Sequence, residues 1–120
     1  MKKGNYVMEK LITNILLSLG IHKTNLGFHY LKKALLLCFQ NEDFMLCYIR
    51  LFGEVAAYYN TTADNVDHCI RSVVKKCYYY GNPKLLGDIA GYTLDKRPTN
   101  SAFIEILFHY LEKLSKTPTL

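Results

Sequence analysis

The 19-residue stretch TADNVDHCIRSVVKKCYYY, Thr62 to Tyr80, concentrates the side chains best suited to contacting a nucleic acid. An arginine fork matches two acceptors on guanine, an asparagine amide suits adenine, and a neutral imidazole offers one donor and one acceptor. Asn65, His68, Arg71 and Ser72 are therefore candidates for base edges in a major groove, and Lys75 and Lys76 for phosphates. At 100° per residue Asp64, His68, Arg71 and Lys75 fall on one helical stripe. Val66, Ile70, Val73 and Cys77 fall on the opposite one, so one face is expected to pack and the other to read. The same pattern marks many solvated helices, so alone it nominates a surface without assigning it.

Other chemistry finds less support. Ser18, Ser72, Ser101 and Ser115 lie in no nucleophile setting, which argues against an enzyme. His22, His29, His68 and His109 lack a second ligand at metal spacing, and Cys38, Cys47, Cys69 and Cys77 form no C-x-x-C pair. No metal and no cofactor are assigned, and the thiols are read as reduced and mostly buried in a cytosolic protein. Tyr78, Tyr79 and Tyr80 are expected to pack against Pro83 and neighbouring helices rather than stack on bases.

The 120 residues suit one domain, and an apolar fraction of 50% is enough to fill one core. Fifteen Lys and Arg against ten Asp and Glu give a net charge of +5, which favours anionic partners. The segment Glu54 to Tyr80 is itself balanced, with three acidic and three basic residues. The surplus lies elsewhere, at Lys23, Lys32, Lys33, Lys84, Lys96 and Arg97 among others. No apolar run reaches the ~18 residues that span a bilayer, and Thr13, Asn14 and Ser18 interrupt Leu11 to Leu19, so neither signal peptide nor membrane span is expected.

The spacing predicts the helices that must carry this surface. Apolar residues recur at three and four from about Tyr6 to Leu19, where Gly20 supplies a stop. Thr24 is expected to cap a second helix with Leu26, Tyr30, Leu31, Ala34, Leu35 and Cys38 on its inner stripe. After the polar break Gln40 to Asp43, Phe44 to Arg50 resumes the pattern, Leu51-Phe52-Gly53 loosens it, and Glu54 to Tyr59 forms a short helix closed by Asn60. Thr61 with Asp64 makes a capping-box-like start for the next helix, which ends at Gly81. Asn82-Pro83 opens a short helix ended by Gly91, and Asn100 or Ser101 is expected to cap the last one. The expected fold is an all-α, compact six-helix domain containing a helix-turn-helix, ordered over about 5–114, with a short polar tail.

The stretches IHKTNLGFHYL (Ile21 to Leu31), NTTA (Asn60 to Ala63), Gly81-Asn82, Gly91-Tyr92-Thr93 and RPTNSAFI (Arg97 to Ile104) together narrow the reading. In order and spacing they resemble the effector domain of the sporulation-initiating response regulator of endospore-forming bacteria. The P-T-N-S-x-F-I run is the most specific part, because it combines loop, cap and core positions. The resemblance implies six helices, with the third and fourth forming a DNA-binding unit and pairs of copies occupying repeated sites on double-stranded DNA. It places the recognition helix at Thr62 to Tyr80, with Thr62, Asp64, Asn65, His68, Arg71, Ser72, Lys75 and Lys76 as the DNA-binding set.

The chain departs from the family on that helix. Asn65 stands where the family shows a basic residue, and Asp67-His68 where it shows glutamate then arginine, while Ile70-Arg71 is kept. The family's phosphate-accepting receiver domain is absent, and the Met1-Lys2-Lys3 start favours a stand-alone protein over an excised piece. The expected function is a cytoplasmic, sequence-specific transcriptional regulator related to sporulation. The alternative is an interaction module that keeps the fold and acts on the full-length regulator or on RNA polymerase.

Overall fold

The computed structural model describes residues 3–116, with side chains from Tyr6. Six α-helices follow in order: α1 (Lys3–Ser18), α2 (Leu26–Gln40), α3 (Tyr48–Tyr59), α4 (Ala63–Tyr80), α5 (Pro83–Ala90) and α6 (Asn100–Lys116). A 3-10 turn, Glu42–Leu46, joins α2 to α3, and no strand occurs among the described residues. The expected ordered core, about 5–114, lies within the described residues, and the tail beyond residue 116 lies outside them.

The stops read from sequence are real backbone features. Gly20 has φ 88°, its N–H donates to the Leu17 carbonyl, and the Ile21 N–H donates to Leu16, both at 3.0 Å. This doubled bond satisfies carbonyls that the end of α1 would otherwise orphan. Gly91 (φ 85°) ends α5, whose start is capped by the Asn82 side chain accepting from the Leu85 N–H, with Pro83 in the first turn.

Two starts, one inner-face residue and one break differ from expectation. Asn25, not Thr24, occupies the position before α2, and its side chain makes no capping bond. Leu26, placed by pattern on the inner stripe, is exposed because it begins the first turn before the helix beds down. The cap of α6 is Thr99, one residue before both candidates: its Oγ1 accepts from the Ala102 N–H at 3.2 Å. Gly53 does not interrupt α3, which is continuous from Tyr48 to Tyr59. A glycine inside a helix costs about 1 kcal/mol, and burial of Leu51, Phe52, Val55 and Ala56 around it outweighs that cost.

One core holds all six helices. It takes Ile12 and Leu16 from α1, Phe28, Leu31 and Leu35 from α2, Leu51 and Val55 from α3, Leu86 from α5, and Phe103, Ile104 and Leu107 from α6. From α4 it takes Val66, Ile70, Val73 and Cys77, the stripe expected, together with Val74. Helix α2 runs through the middle and touches α1, α3, α4 and α6. Its contact with α4 is close because of Gly27: a Cβ there would lie 2.4 Å from the Cys69 carbonyl oxygen and 2.6 Å from Val73 Cγ1. Gly81 likewise leaves room for the turn after α1, since a Cβ would sit 2.5 Å from the Leu19 carbonyl.

Burial pushes the Cys38 and Cys77 thiols up to about 11. They are neutral packing groups, not nucleophiles. Cys47, in contrast to the expectation of burial, is exposed at the start of α3.

Candidate nucleic-acid interface

Helices α3 and α4 are joined by a turn of three residues that is closed at both ends. Asn60 adopts the left-handed conformation (φ 55°, ψ 52°), as expected of a residue that tolerates it, and the Thr61 N–H donates back to Ala56 at 2.9 Å. Thr62 is extended, and its Oγ1 accepts from the Asn65 N–H at 3.1 Å. The cap is thus Thr62 rather than Thr61: Thr62 has the extended backbone that aims its hydroxyl at the Asn65 amide. Asp64 in the first turn adds a carboxylate where the helix dipole favours one.

The eight candidate residues do not form one surface. Asp64, His68, Arg71 and Lys75 share an exposed stripe. Lys76 is exposed and Ser72 half-buried on the neighbouring row. Thr62 is committed to its cap. Asn65 is turned toward α2: its Nδ2 donates to Thr61 Oγ1 at 2.9 Å and to the Tyr30 hydroxyl at 3.4 Å, and its Oδ1 accepts from the Cys69 thiol at 3.7 Å. Every polar atom of that amide is in use within the fold.

The loop between α5 and α6 joins the surface from the other side. Two bonds fasten it to α4: the Tyr78 hydroxyl donates to the Leu94 carbonyl at 3.0 Å, and Asn100 Nδ2 donates to Asp67 Oδ1 at 2.9 Å. Between these anchors lie Lys96 and Arg97, which line a cleft of about 590 Å³ together with Lys75, Tyr79 and Tyr80. Arg97 also shares a second cleft with Arg71 and the start of α6. None of Lys75, Lys76, Lys96 and Arg97 pairs with a carboxylate among the described residues. Arg71 does, with Asp67 of the preceding turn.

Two of the other basic residues named from sequence are employed elsewhere. Lys32 pairs with Glu9 at 3.6 Å, and Lys33 lies 3.9 Å over the Tyr58 ring. Lys96 and Arg97 are brought beside Lys75 of α4, a placement that depends on the Leu94 and Asn100 contacts and has no signature in the local sequence. The exposed tyrosines also escaped the sequence reading. Tyr78 packs as expected, but Tyr80 is 86% exposed and Tyr79 54%, contrary to the packing expected of them.

Among the described residues no three His, Cys, Asp or Glu side chains converge as metal ligands, and no helix is long and apolar enough to cross a membrane. The family described as Sporulation initiation factor Spo0A C terminal matches residues 12–111, which takes in α2 through α5 entire, the second half of α1 and most of α6. That family is one of sporulation-related, DNA-binding transcription-factor domains. With the match over most of its length and the helical fold in agreement, the chain belongs to the Spo0A C-terminal family.

Proposed function

We propose that the chain binds double-stranded DNA sequence-specifically by laying the exposed stripe of α4 in the major groove, and so regulates transcription in sporulation control. Arg71 and His68 reach base edges, with Ser72 at the margin. Lys75 and Lys76 take phosphates on one side, and Lys96 and Arg97 extend the phosphate contacts from the α5–α6 loop. The observation that carries this reading is the convergence of Arg71, Lys75, Lys96 and Arg97 on one open side of α4. Cations without carboxylate partners release counterions when they meet phosphates, which supplies most of the non-specific affinity. Such a regulator works on the chromosome in the cytoplasm, and pairs of copies on repeated sites fit the family.

The test is fluorescence anisotropy with random-sequence duplexes across a salt series. The logarithm of affinity should fall linearly with the logarithm of salt concentration, and Lys75→Ala and Arg97→Ala should each make that slope shallower by about one unit for all sequences alike. A chain with no salt-sensitive affinity for any duplex would overturn the reading. The engaged Asn65 amide would then favour the interaction-module alternative, read by pull-down with the full-length regulator and with RNA polymerase.

A further inference from the structure

The acidic residue of the recognition helix faces sideways rather than outward. Asn100, at the first turn of α6, spends its side-chain NH2 group on Asp67: Nδ2 donates to Oδ1 at 2.9 Å and to the main-chain carbonyl at 3.0 Å. The other carboxylate oxygen, Oδ2, accepts from Arg71 Nη2. The three side chains form a chain of bonds from α6 through α4 to the stripe. Its innermost member is half-buried, and Arg71 at its end is more than half exposed.

We infer that Asn100 and Asp67 are positioning residues that hold Arg71 for guanine recognition, an inference that rests on the DNA-binding reading above. A free arginine side chain loses rotamer entropy when it is fixed in one geometry. Here part of that ordering is already in place, because Asp67 fixes one edge of the guanidinium while leaving further N–H donors for the two guanine acceptors O6 and N7. Asp67 also cancels much of the arginine's charge, so Arg71 contributes little to indiscriminate phosphate attraction. Specificity and general affinity are thereby assigned to different cations: Arg71 to the base, and Lys75, Lys96 and Arg97 to the backbone. With Oδ1 bonded to Asn100 and Oδ2 to Arg71, Asp67 acts on the DNA through Arg71.

Two measurements test this. The first needs no DNA: nitrogen relaxation of the Arg71 side-chain Nε–Hε group. It should report an ordered group in the parent chain and a mobile one in Asn100→Ala and in Asp67→Asn, with both variants retaining the helical circular dichroism of the parent. The second uses a duplex enriched from a random pool by the parent chain. Asn100→Ala should lower affinity for that duplex about tenfold and erase the preference at a single G·C pair. Affinity for a scrambled duplex should fall less, by only the share that the Asn100 contact gives to seating Lys96 and Arg97 beside α4. Unchanged Arg71 order in both variants, or a uniform loss on all duplexes, would overturn the positioning role. A parent chain that enriches no sequence would overturn the DNA-reading proposal, while the relaxation measurement would still decide whether Asn100 and Asp67 hold Arg71.

Discussion

At its amino end α4 turns its polar groups on the protein itself: Thr62 caps, and Asn65 spends its amide on Thr61, Tyr30 and Cys69. At its carboxyl end Lys75, Lys76, Tyr79 and Tyr80 stand open, and Lys96 and Arg97 are carried in beside them. One helix therefore has a closed end that fixes its position and an open end that carries its charge. Reading residues by type would have given both ends the same role, since Asn65 and Lys75 are equally good partners for DNA on paper. What separates them is the company kept: Asn65 faces α2 across the gap that Gly27 narrows, and Lys75 faces solvent.

The largest expected effect comes from the buried stripe that supports both ends. Ile70→Ala should lower stability by ~2 to 5 kcal/mol through lost transfer energy and a cavity, measured by chemical denaturation. A change under about 0.5 kcal/mol, the usual size for a surface substitution, would show that neither end is anchored as described. Next comes the thiol beneath the open end. Below pH 9 Cys77 is neutral in both folded and unfolded chains and has no effect on stability. Between pH 9 and about 11 the unfolded chain gives up the proton that the folded chain keeps, so stability falls as pH rises and levels off above. Each buried thiol should contribute up to roughly 3 kcal/mol to that fall. Cys77→Ala should make the slope visibly shallower, and an unaltered slope would mean that the open end does not bury it.

Arg71→Ala should weaken binding to an enriched duplex by ~1 to 3 kcal/mol with relaxed preference at one position. Equal weakening on every duplex would place Arg71 with the phosphate-holding end. The smallest effects belong to the closed end. Thr62→Ala should cost ~1 kcal/mol of stability, seen in the denaturation midpoint, and Asn65→Ala should also register in stability while leaving base preference as it was. A shift in preference with Asn65→Ala would break the comparison, because the amide would then be reading DNA rather than bracing the turn.

The fold was legible wherever a residue's type alone dictates its backbone or its face. Gly20, Asn60 and Gly91 have the positive φ their positions suggest, and the Val66-Ile70-Val73-Cys77 stripe is buried as its spacing requires. Caps were harder. Thr61 and Thr62, or Thr99, Asn100 and Ser101, are chemically interchangeable in a string of letters, and the choice is made by backbone angles set by the packing of α3 and α6. Continuity of α3 through Gly53 was hidden for a similar reason, as tertiary burial overrides local propensity. The site was legible in its outward stripe and opaque in its connections. Residues 33 positions apart, Asp67 and Asn100, meet only because α6 returns across α4, and Asn100 in its motif looked like a cap.

Gly27 carries a consequence for how any signal could reach this surface. With a Cβ-free residue pressed on the Cys69 carbonyl and the Val73 side chain, α4 has no slack to roll or slide over α2. Close approach of the two backbones then favours movement of the pair together, and on the proposed DNA-binding reading the α4 stripe is not tuned by gradual rotation of one helix. An input must either carry α2 and α4 together relative to the DNA, or act at the side-chain level through Arg71 and the α5–α6 loop. Adaptation to imperfect target sites then falls to the bending and groove width of the duplex, whose deformation cost depends on base steps the protein never touches.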